Sequence, residues 1–483
     1  MGNIIRQSSG VDTYPADTHD LESYRLAEAD LANLRVPVLL HADSLHERLY
    51  IAALDGTGNS MFDDDPKNWS VVAKINKQVQ ALQDEGVSSV AGGYVEGTYT
   101  QEGLLNTPKR LLDGRFGITF EDRVETAYYQ LCLQAKAWLR EDPQAQIRVA
   151  GVGFSRGAEE VAALERMIEE RGIRDPDAAA YKKNNEGLIT SIEYADRPLL
   201  VLPGRTLQAA LLFDPVVEGV ERFDRRLPSS TMSTYQISAE DERRNLFKGN
   251  DHVPPGFSEG NRNLNSIVGG AHSDTGNTYE ENGLGVLSFN HGVAFLNRLS
   301  DRPYLQKQAI PDDPALFVVH RSEQGMHGLY GTSSYDKDGV RDRLQDQSPQ
   351  PGLQRKDPIS PELEMQIERR AGPTLPGHRR SGNLDDERHL DVETMLPGQP
   401  EPDKSFLDAV IDRLSQGALA RDDNAMTAAV NDYLRSPLGR QFGGEVAQQR
   451  QIMDAQEQRA ALEVQLLAGQ QAETMRNPPV MHR

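Results

Sequence analysis

The five residues from Gly153 to Gly157, with the sequence GFSRG, are the part of this chain whose types and spacing say most about chemistry. An apolar run at residues 146–152 precedes them, and residues 158–167 have helical spacing. A serine on a sharp turn between a strand and a helix is typical of a nucleophile elbow, which exposes the hydroxyl above a sheet. The helix N-terminus behind Ser155 adds partial positive charge where an oxyanion would form. The pattern therefore predicts a serine hydrolase.

A serine hydroxyl is a weak nucleophile at neutral pH and needs a base that a third group orients. The order in α/β-hydrolases is serine, acid and then histidine, so the candidates must follow Ser155. Asp214 ends an apolar strand and is the favoured acid, with Asp241 as the alternative. His272 is the favoured base because it lies in a glycine-rich loop after another apolar strand. Weaker candidates for the base or the acid are His291, His320 and Asp274.

An oxyanion hole needs two backbone N–H donors, and one of them would come from Arg156, the residue after the nucleophile. The second donor usually comes from a loop after an earlier strand. The loop Asp55–Asn59 follows the first buried strand, and we expect its donor at Gly56 or Thr57. A phosphate-binding loop is disfavoured here because the Lys-Ser/Thr ending of such loops is missing.

Apolar runs alternate with helical spacing, which predicts an α/β fold of the α/β-hydrolase type: a mostly parallel sheet with helices on both faces. The predicted strands are residues 48–54, 87–94, 146–152, 207–213, 231–238, 264–268 and 315–320. The predicted helices are residues 69–83, 120–139, 158–167 and 283–299.

Composition divides the chain into four parts. Residues 1–45 are polar and predict an N-terminal arm, and residues 46–335 predict the catalytic domain. Within that domain, residues 174–205 are irregular and predict an insertion or lid. Residues 336–402, rich in Pro, Gly and charge, predict a poorly ordered linker. Residues 403–483 regain helical periodicity and predict a helical C-terminal region rich in Gln and Ala.

The formal net charge of −21 disfavours nucleic acid as a partner, because such binding relies on cationic side chains. Peripheral membrane contact would need an apolar surface or a local basic patch. Cys132 is the only cysteine, so a disulfide within the chain and a cysteine-based zinc site are excluded. Its position on a predicted helix indicates a buried, inert thiol.

The first residues lack the apolar segment of a secretory signal, and no stretch is long and apolar enough to span a bilayer. We therefore expect synthesis in the cytoplasm without a cleaved signal. Export, if it occurs, would then use another route.

Five motifs occur in the same order as in a known family. The chain resembles the uncharacterised α/β-hydrolase domain of type VI secretion lipase effectors, whose motifs are FDGTxN, GFSRGA, D[TP]V, DERR and GxHSDxGG. The corresponding segments here are Leu54–Asn59, Gly153–Ala158, Phe213–Val216, Asp241–Arg244 and Gly270–Gly276. The chain departs from the family's usual residues at Leu54, Gly58 and Asn277.

The resemblance implies phospholipase or related lipid-esterase activity in a secreted antibacterial effector, with Ser155 as nucleophile, His272 as base and Asp214 as acid. It also implies a secretion adaptor and a cognate immunity protein as partners, and action at the target-cell membrane or periplasm. This chemistry requires no cofactor, and the sequence predicts no metal ligands. Two alternatives remain open: an esterase, thioesterase or amidase acting on a soluble substrate, and a non-enzymatic interaction module on a hydrolase fold.

Overall fold

The structure is a computed structural model. It describes residues 10–62, 65–97, 119–184, 187–217, 219–220, 222–244, 247–324 and 356–367, and also residues 5–6, 343–344, 369–370 and 435. The chain divides into two compact units, residues 1–389 and 390–483. The predicted helical region 403–483 falls in the second unit and lies outside the described residues apart from Arg435. Most of the predicted linker also lies outside them.

Apolar runs build a seven-stranded sheet at the centre of the first unit. All its neighbouring strands pair in parallel except one antiparallel pair at an edge, β12 with β13. The strand order is β12-β13-β10-β9-β6-β4-β5. The bounds are β4 Glu47–Leu54, β5 Val90–Val95, β6 Gln146–Phe154, β9 Gln208–Phe213, β10 Thr231–Ala239, β12 Gly256–Ser258 and β13 Asn263–Val268. The mostly parallel sheet predicted from sequence is confirmed.

Helices cover both faces of this sheet, also as predicted. Along β4, Leu49, Ile51 and Ala53 pack toward α1, α2 and α6, whereas Tyr50 and Ala52 pack toward α3 and α4. None of the helices in the described ranges is long and apolar enough to cross a membrane. The helix bounds are α1 Thr18–Asn33, α2 Val71–Asp84, α3 Phe120–Glu141, α4 Arg156–Arg171, α5 His272–Thr275, α6 Gly283–Arg298 and α7 Pro361–Glu364.

Short strands outside the central sheet form four small sheets, in the pairings β1-β2-β14, β3-β16, β7-β8 and β11-β15. The strand predicted at 315–320 is therefore not part of the central sheet: Pro314–Leu316 form a 3₁₀ helix and only β14 is extended. A second 3₁₀ helix is Pro66–Asn68. The bounds are β1 Ile5–Arg6, β2 Asp12–Pro15, β3 Val36–Pro37, β7 Ala180–Lys183, β8 Ile189–Glu193, β11 Gly249–Asn250, β14 Val318–His320, β15 Arg343–Leu344 and β16 Arg369–Arg370.

The segment predicted as an N-terminal arm packs on the core. Asp17 caps helix α1 by accepting from the backbone N–H groups of the first turn. Tyr24 and Leu31 on that helix are buried against the central sheet. Strand β2 pairs with β14 in an antiparallel register that sets Thr13 opposite His320. The start of the chain is thereby joined to residues far along the sequence.

The segment 174–205, predicted as an insertion or lid, contains the hairpin β7–β8. This hairpin lies along helix α3, where Ile189 N–H donates to Thr126 Oγ1 over 2.8 Å. The rings of Tyr181 and Tyr129 lie 5.1 Å apart. The lid role stays a prediction.

Part of the predicted linker is ordered against the sheet, which corrects the expectation for residues 356–367. Lys356 is buried and its Nζ donates to Thr231 O over 2.9 Å. Asp357 forms an ion pair with Arg166 at 2.9 Å. Leu363 is 1% exposed and belongs to the apolar core. Composition misses this segment because a few well-placed contacts hold it.

Cys132 lies on α3 and is buried in the core between that helix and the sheet. Burial raises the pKa of its thiol to about 12, so little reactive thiolate forms at neutral pH. The predicted buried thiol is confirmed.

Candidate active site

Ser155 lies at the junction of β6 and α4 in a backbone conformation that non-glycine residues rarely adopt, with φ 58° and ψ −126°. A Cβ at Gly157 would overlap the carbonyl O of Leu54, and one at Gly153 would lie 2.6 Å from Ala158 N. Both glycines are therefore needed for the turn to pass between strand and helix. The sequence pattern predicts an exposed hydroxyl, whereas Ser155 is 3% exposed and lies below the surface.

Asp214 and His272 lie together at the carboxyl edge of the sheet. Asp214 follows β9, the strand next to β6, and also has a positive φ of 40°. Its Oδ2 accepts a hydrogen bond from His272 Nδ1 over 2.6 Å, and its Oδ1 accepts from Ala239 N–H. Ser155 N–H donates to Phe213 O over 2.9 Å, which fixes the elbow beside the strand that carries the acid.

The imidazole of His272 is buried between two aromatic rings. It stacks on Phe154, the residue before the elbow serine, with ring centroids 4.6 Å apart. The Phe247 ring packs against it in an edge-to-face arrangement, with the two ring centroids 5.1 Å apart. Burial lowers the pKa of His272, and the hydrogen bond and charge of Asp214 oppose this shift. A neutral imidazole at neutral pH can accept a proton, as a general base must.

The alternative acid Asp241 holds the loop that carries His272 and makes no hydrogen bond to its ring. Its Oδ2 accepts from Gly270 N–H over 2.7 Å. Burial raises the pKa of Asp241 to about 7. The next residue, Glu242, accepts from His272 N–H at 3.2 Å and pairs with Arg244 through two hydrogen bonds. The DERR segment thus braces the loop, and sequence reasoning did not single out Glu242.

The weaker candidates fall elsewhere in the structure. Asp274 pairs with His320, through a hydrogen bond of 2.6 Å between Oδ1 and Nδ1. His291 is buried on α6 beside Tyr24 and Tyr235.

The predicted oxyanion loop does contact the elbow. The guanidinium of Arg156 donates to Thr57 Oγ1, and a Cβ at Gly157 would lie 2.7 Å from Asp55 O. The backbone N–H of Gly56 donates to Asp55 Oδ1 over 2.7 Å. This corrects the expectation that Gly56 N–H faces an oxyanion, because the preceding carboxylate already binds it.

Hydrogen bonds to the side chain of Asp55 hold the loop Asp55–Asn59 in place. Asp55 is buried and its Oδ2 accepts from Ser70 Oγ and from Tyr94 Oη, each over 2.7 Å. Burial raises the pKa of Asp55 to about 6, and these hydrogen bonds oppose the shift. The two donors come from the N-cap of α2 and from β5, so the loop is tied to one helix and one strand.

A buried charge cluster on α4, one turn after the elbow, was also not predicted. Glu159 is 0% exposed, forms an ion pair with Arg225, and lies 3.2 Å from His252 Nε2. Asn250 Nδ2 donates to it over 2.6 Å, while Asn250 N–H donates to Pro215 O. The cluster links the elbow helix to the turn that follows Asp214. The carboxylate that directly follows the GFSRGA motif is the sequence signal that could have indicated this cluster.

Within the residues that the structure describes, no group of three or more His, Cys, Asp or Glu side chains could hold a metal ion. Residues 48–191 match the family model described as T6SS, Phospholipase effector Tle1-like, catalytic domain. The chain resembles this family. The resemblance that the five motifs predict is confirmed, over a range that includes the elbow and ends before Asp214. No curated protein matches the sequence.

Several solved structures are similar to the chain, and three of them show how far the similarity extends. An uncharacterized protein from Pseudomonas aeruginosa is 17% identical with a TM-score of 0.35, covering 63% of this chain and 52% of its own. The Tle1 effector bound to the VgrG spike is 17% identical with a TM-score of 0.28, covering 47% and 51%. An acetyl xylan esterase is 12% identical with a TM-score of 0.22, covering 52% and 96%. The chain thus matches about half the length of the first two.

Proposed function

We propose that this protein is a serine-dependent phospholipase exported by a type VI secretion system. The family match over residues 48–191 supports the substrate class. The hydrogen bond between His272 Nδ1 and Asp214 Oδ2 is the observation that carries the catalytic assignment, because Asp214 ends the strand next to the one that leads to Ser155. Ser155 is the nucleophile, His272 the base and Asp214 the group that orients the imidazole.

In the acylation step, Ser155 Oγ attacks the ester carbonyl while His272 Nε2 takes the hydroxyl proton. Asp214, bonded to Nδ1–H, keeps the base on the opposite nitrogen and stabilises the imidazolium that forms. The carbonyl oxygen becomes an oxyanion, for which the backbone N–H groups of Arg156 and Thr57 are the donors that we propose. The tetrahedral intermediate then expels the lysophospholipid alcohol, which takes the proton from His272.

In the deacylation step, a water molecule attacks the acyl-enzyme and gives its proton to His272. The second tetrahedral intermediate releases the fatty acid, and the proton returns to Ser155 Oγ. Atoms and charges balance without a cofactor. Throughout both steps, the buried ion pair of Glu159 holds the turn after Asp214, and the DERR segment holds the loop that carries His272.

The export partner that we propose is a spike protein of the secretion apparatus, which is the class bound to the Tle1 effector among the similar structures. A producing cell would need an immunity protein because the substrate is also a component of its own membrane. Both partners remain proposals for this chain.

The test compares the wild-type protein with Ser155→Ala on phospholipid vesicles and on short soluble esters, with fatty-acid release as the readout. We expect release from vesicles, and a fall of about 10³-fold or more in the variant. Ser88→Ala is the matched control, since Ser88 is exposed and precedes β5 at the edge of the sheet opposite the elbow. If the protein hydrolyses only the soluble esters, the proposed phospholipid substrate is wrong and a soluble ester takes its place. Turnover that survives Ser155→Ala would overturn the assignment of Ser155 as nucleophile.

A further inference from the structure

A second carboxylate–imidazole pair lies behind the loop of His272. Asp274 Oδ1 accepts from His320 Nδ1 over 2.6 Å, and its Oδ2 accepts from His320 N–H over 3.0 Å. The same Oδ2 accepts from Ala271 N–H over 2.9 Å. One carboxylate therefore joins strand β14 to the residue immediately before His272.

This pair is desolvated and tightly packed. Asp274 is 3% exposed and His320 is 1% exposed. The ring of Tyr279 stacks on His320 with centroids 3.8 Å apart, and Tyr279 Oη lies 3.2 Å from Ser322 Oγ. Within the described residues, His320 Nε2 makes no hydrogen bond and lies 3.5 Å from Glu281 Oε2. Among the residues that the structure describes, the His320 ring thus makes its hydrogen bond to Asp274, through Nδ1.

The strand that carries His320 is itself held by the start of the chain. Arg321 N–H donates to Asp12 O over 2.9 Å, and β14 pairs with β2 residue by residue. Two further hydrogen bonds join Gln324 and Asp12: Asp12 N–H donates to Gln324 Oε1, and Gln324 Nε2 donates to Asp12 Oδ2. A path of hydrogen bonds therefore runs from β2 through His320 and Asp274 to the backbone at Ala271.

We infer that His320 is a positioning residue for the proposed hydrolysis, acting through Asp274 to hold the His272 loop in register with Asp214. The inference rests on the proposed function. The loop needs such a support because Gly270, with φ 111°, leaves the backbone free to rotate at one end, and Asn277, with φ 61°, holds a left-handed conformation at the other that non-glycine residues seldom adopt. Without the Asp274 brace, the loop can relax and lengthen the 2.6 Å bond between His272 and Asp214. A shift of about 1 Å at such a site costs about 10²-fold in rate.

The experiment compares His320→Asn with His320→Leu. The amide nitrogen of Asn occupies the place of Nδ1 and can still donate to Asp274, whereas Leu cannot donate. Both variants lose the ring that stacks on Tyr279, so packing alone predicts equal effects. We expect kcat on phospholipid to fall about 10²-fold in His320→Leu and less than 10-fold in His320→Asn, with KM changed only a few-fold in either. His291→Leu, at a buried histidine on α6 that makes no hydrogen bond to the loop within the described residues, is the matched control and should keep its kcat.

A second readout does not depend on turnover. The Nδ1 proton that His272 donates to Asp214 should give a downfield ¹H NMR signal, identified by its loss in Asp214→Ala. We expect this signal to persist in His320→Asn and to broaden or vanish in His320→Leu while the far-UV circular dichroism is unchanged. If His320→Leu fails to fold, Asp274→Asn takes its place with the same expected loss.

The outcomes separate the two proposals. A wild-type protein that retains the signal but hydrolyses no ester would overturn the proposed function, and the NMR comparison would still test His320. An active wild-type protein whose His320→Leu variant keeps both kcat and the signal would overturn the positioning role. Equal losses in the Asn and Leu variants would also overturn it, in favour of packing.

Discussion

His272 Nδ1 and Asp214 Oδ2, 58 residues apart in the chain, are joined by a buried hydrogen bond of 2.6 Å. The bond fixes which nitrogen of the imidazole can accept a proton. Asp214→Asn replaces the acceptor by an amide that can present a donor to Nδ1, which favours the wrong tautomer.

We expect kcat of Asp214→Asn on phospholipid to fall by about 10³ to 10⁴-fold with the fold retained. Asp84→Asn, at the exposed end of α2, makes the same chemical change away from the site and should leave kcat unaltered. An Asp214→Asn enzyme with near wild-type turnover would show that another group orients His272.

The pH dependence of the reaction follows from the environment of His272. Burial lowers its pKa from the ordinary value of 6.5, and Asp214 opposes the shift by favouring the imidazolium. Because only the neutral ring acts as base, kcat/KM should fall on the acid side with a midpoint below pH 6.5.

The charge of Asp214 raises the pKa of His272, and Asp214→Asn removes that charge. The acid-side midpoint of the kcat/KM profile should therefore move to lower pH in Asp214→Asn. Initial rates on a soluble short-chain phospholipid between pH 4 and 9 measure both midpoints. A wild-type midpoint above pH 6.5, or a move to higher pH in the variant, would contradict this reading of the site.

Gly157→Ala tests how closely the elbow helix approaches the oxyanion loop. The new Cβ would overlap Leu54 O and lie 2.7 Å from Asp55 O, and neither backbone atom can move by rotating a side chain. The free energy of unfolding should fall by about 1–3 kcal/mol, measured by urea denaturation. Activity should fall as well, since the helix must move away from the loop.

Ala163→Ser, which adds one atom on a half-buried position of the same helix, is the control and should change the unfolding free energy little. Wild-type stability and turnover in Gly157→Ala would mean that the backbone approach is looser than described.

Leu363→Ala tests whether residues 356–367 belong to the catalytic unit. Leu363 is 1% exposed in the core, whereas Met365, two residues away, is 81% exposed. We expect Leu363→Ala to lower the free energy of unfolding by about 2–5 kcal/mol and Met365→Ala to change it by less than about 0.5 kcal/mol. If denaturant titrations show equally small effects for the two variants, residues 356–367 do not contribute to the core of the catalytic unit.

The elbow and the positions of most central strands along the chain could be predicted from sequence because both are local patterns. The spacing of Gly153 and Gly157 around Ser155 reflects contacts within one strand and one helix. Apart from the short edge strand β12, which was not predicted, the strands of the central sheet are apolar runs separated by helical periodicity, so their positions follow from composition over short windows. Asp214 was selected by the same logic, as the first carboxylate after a buried strand.

The partners of the other carboxylates could not be predicted, because they depend on distances across the fold. Asp274 was weighed as a candidate acid on the assumption of an extended segment. It lies instead on the helical turn α5, where the directions of side chains two positions apart differ by about 160°, and its partner His320 is 46 residues away. Likewise, the donor at Gly56 depends on the side-chain rotamer of Asp55, which no sequence pattern specifies.

The pairing of β2 with β14 has a consequence for how the protein is made. Pro15 and Val318 are opposite each other in that register, so β2 cannot pair until β14 has been synthesised. At ribosomal rates of about 5–20 residues per second, the wait is roughly 15 to 60 s. A nascent chain that has already folded its elbow still lacks β14 and the contact from His320 to Asp274. The last support of the His272 loop is therefore added only when nearly the whole first unit has left the ribosome.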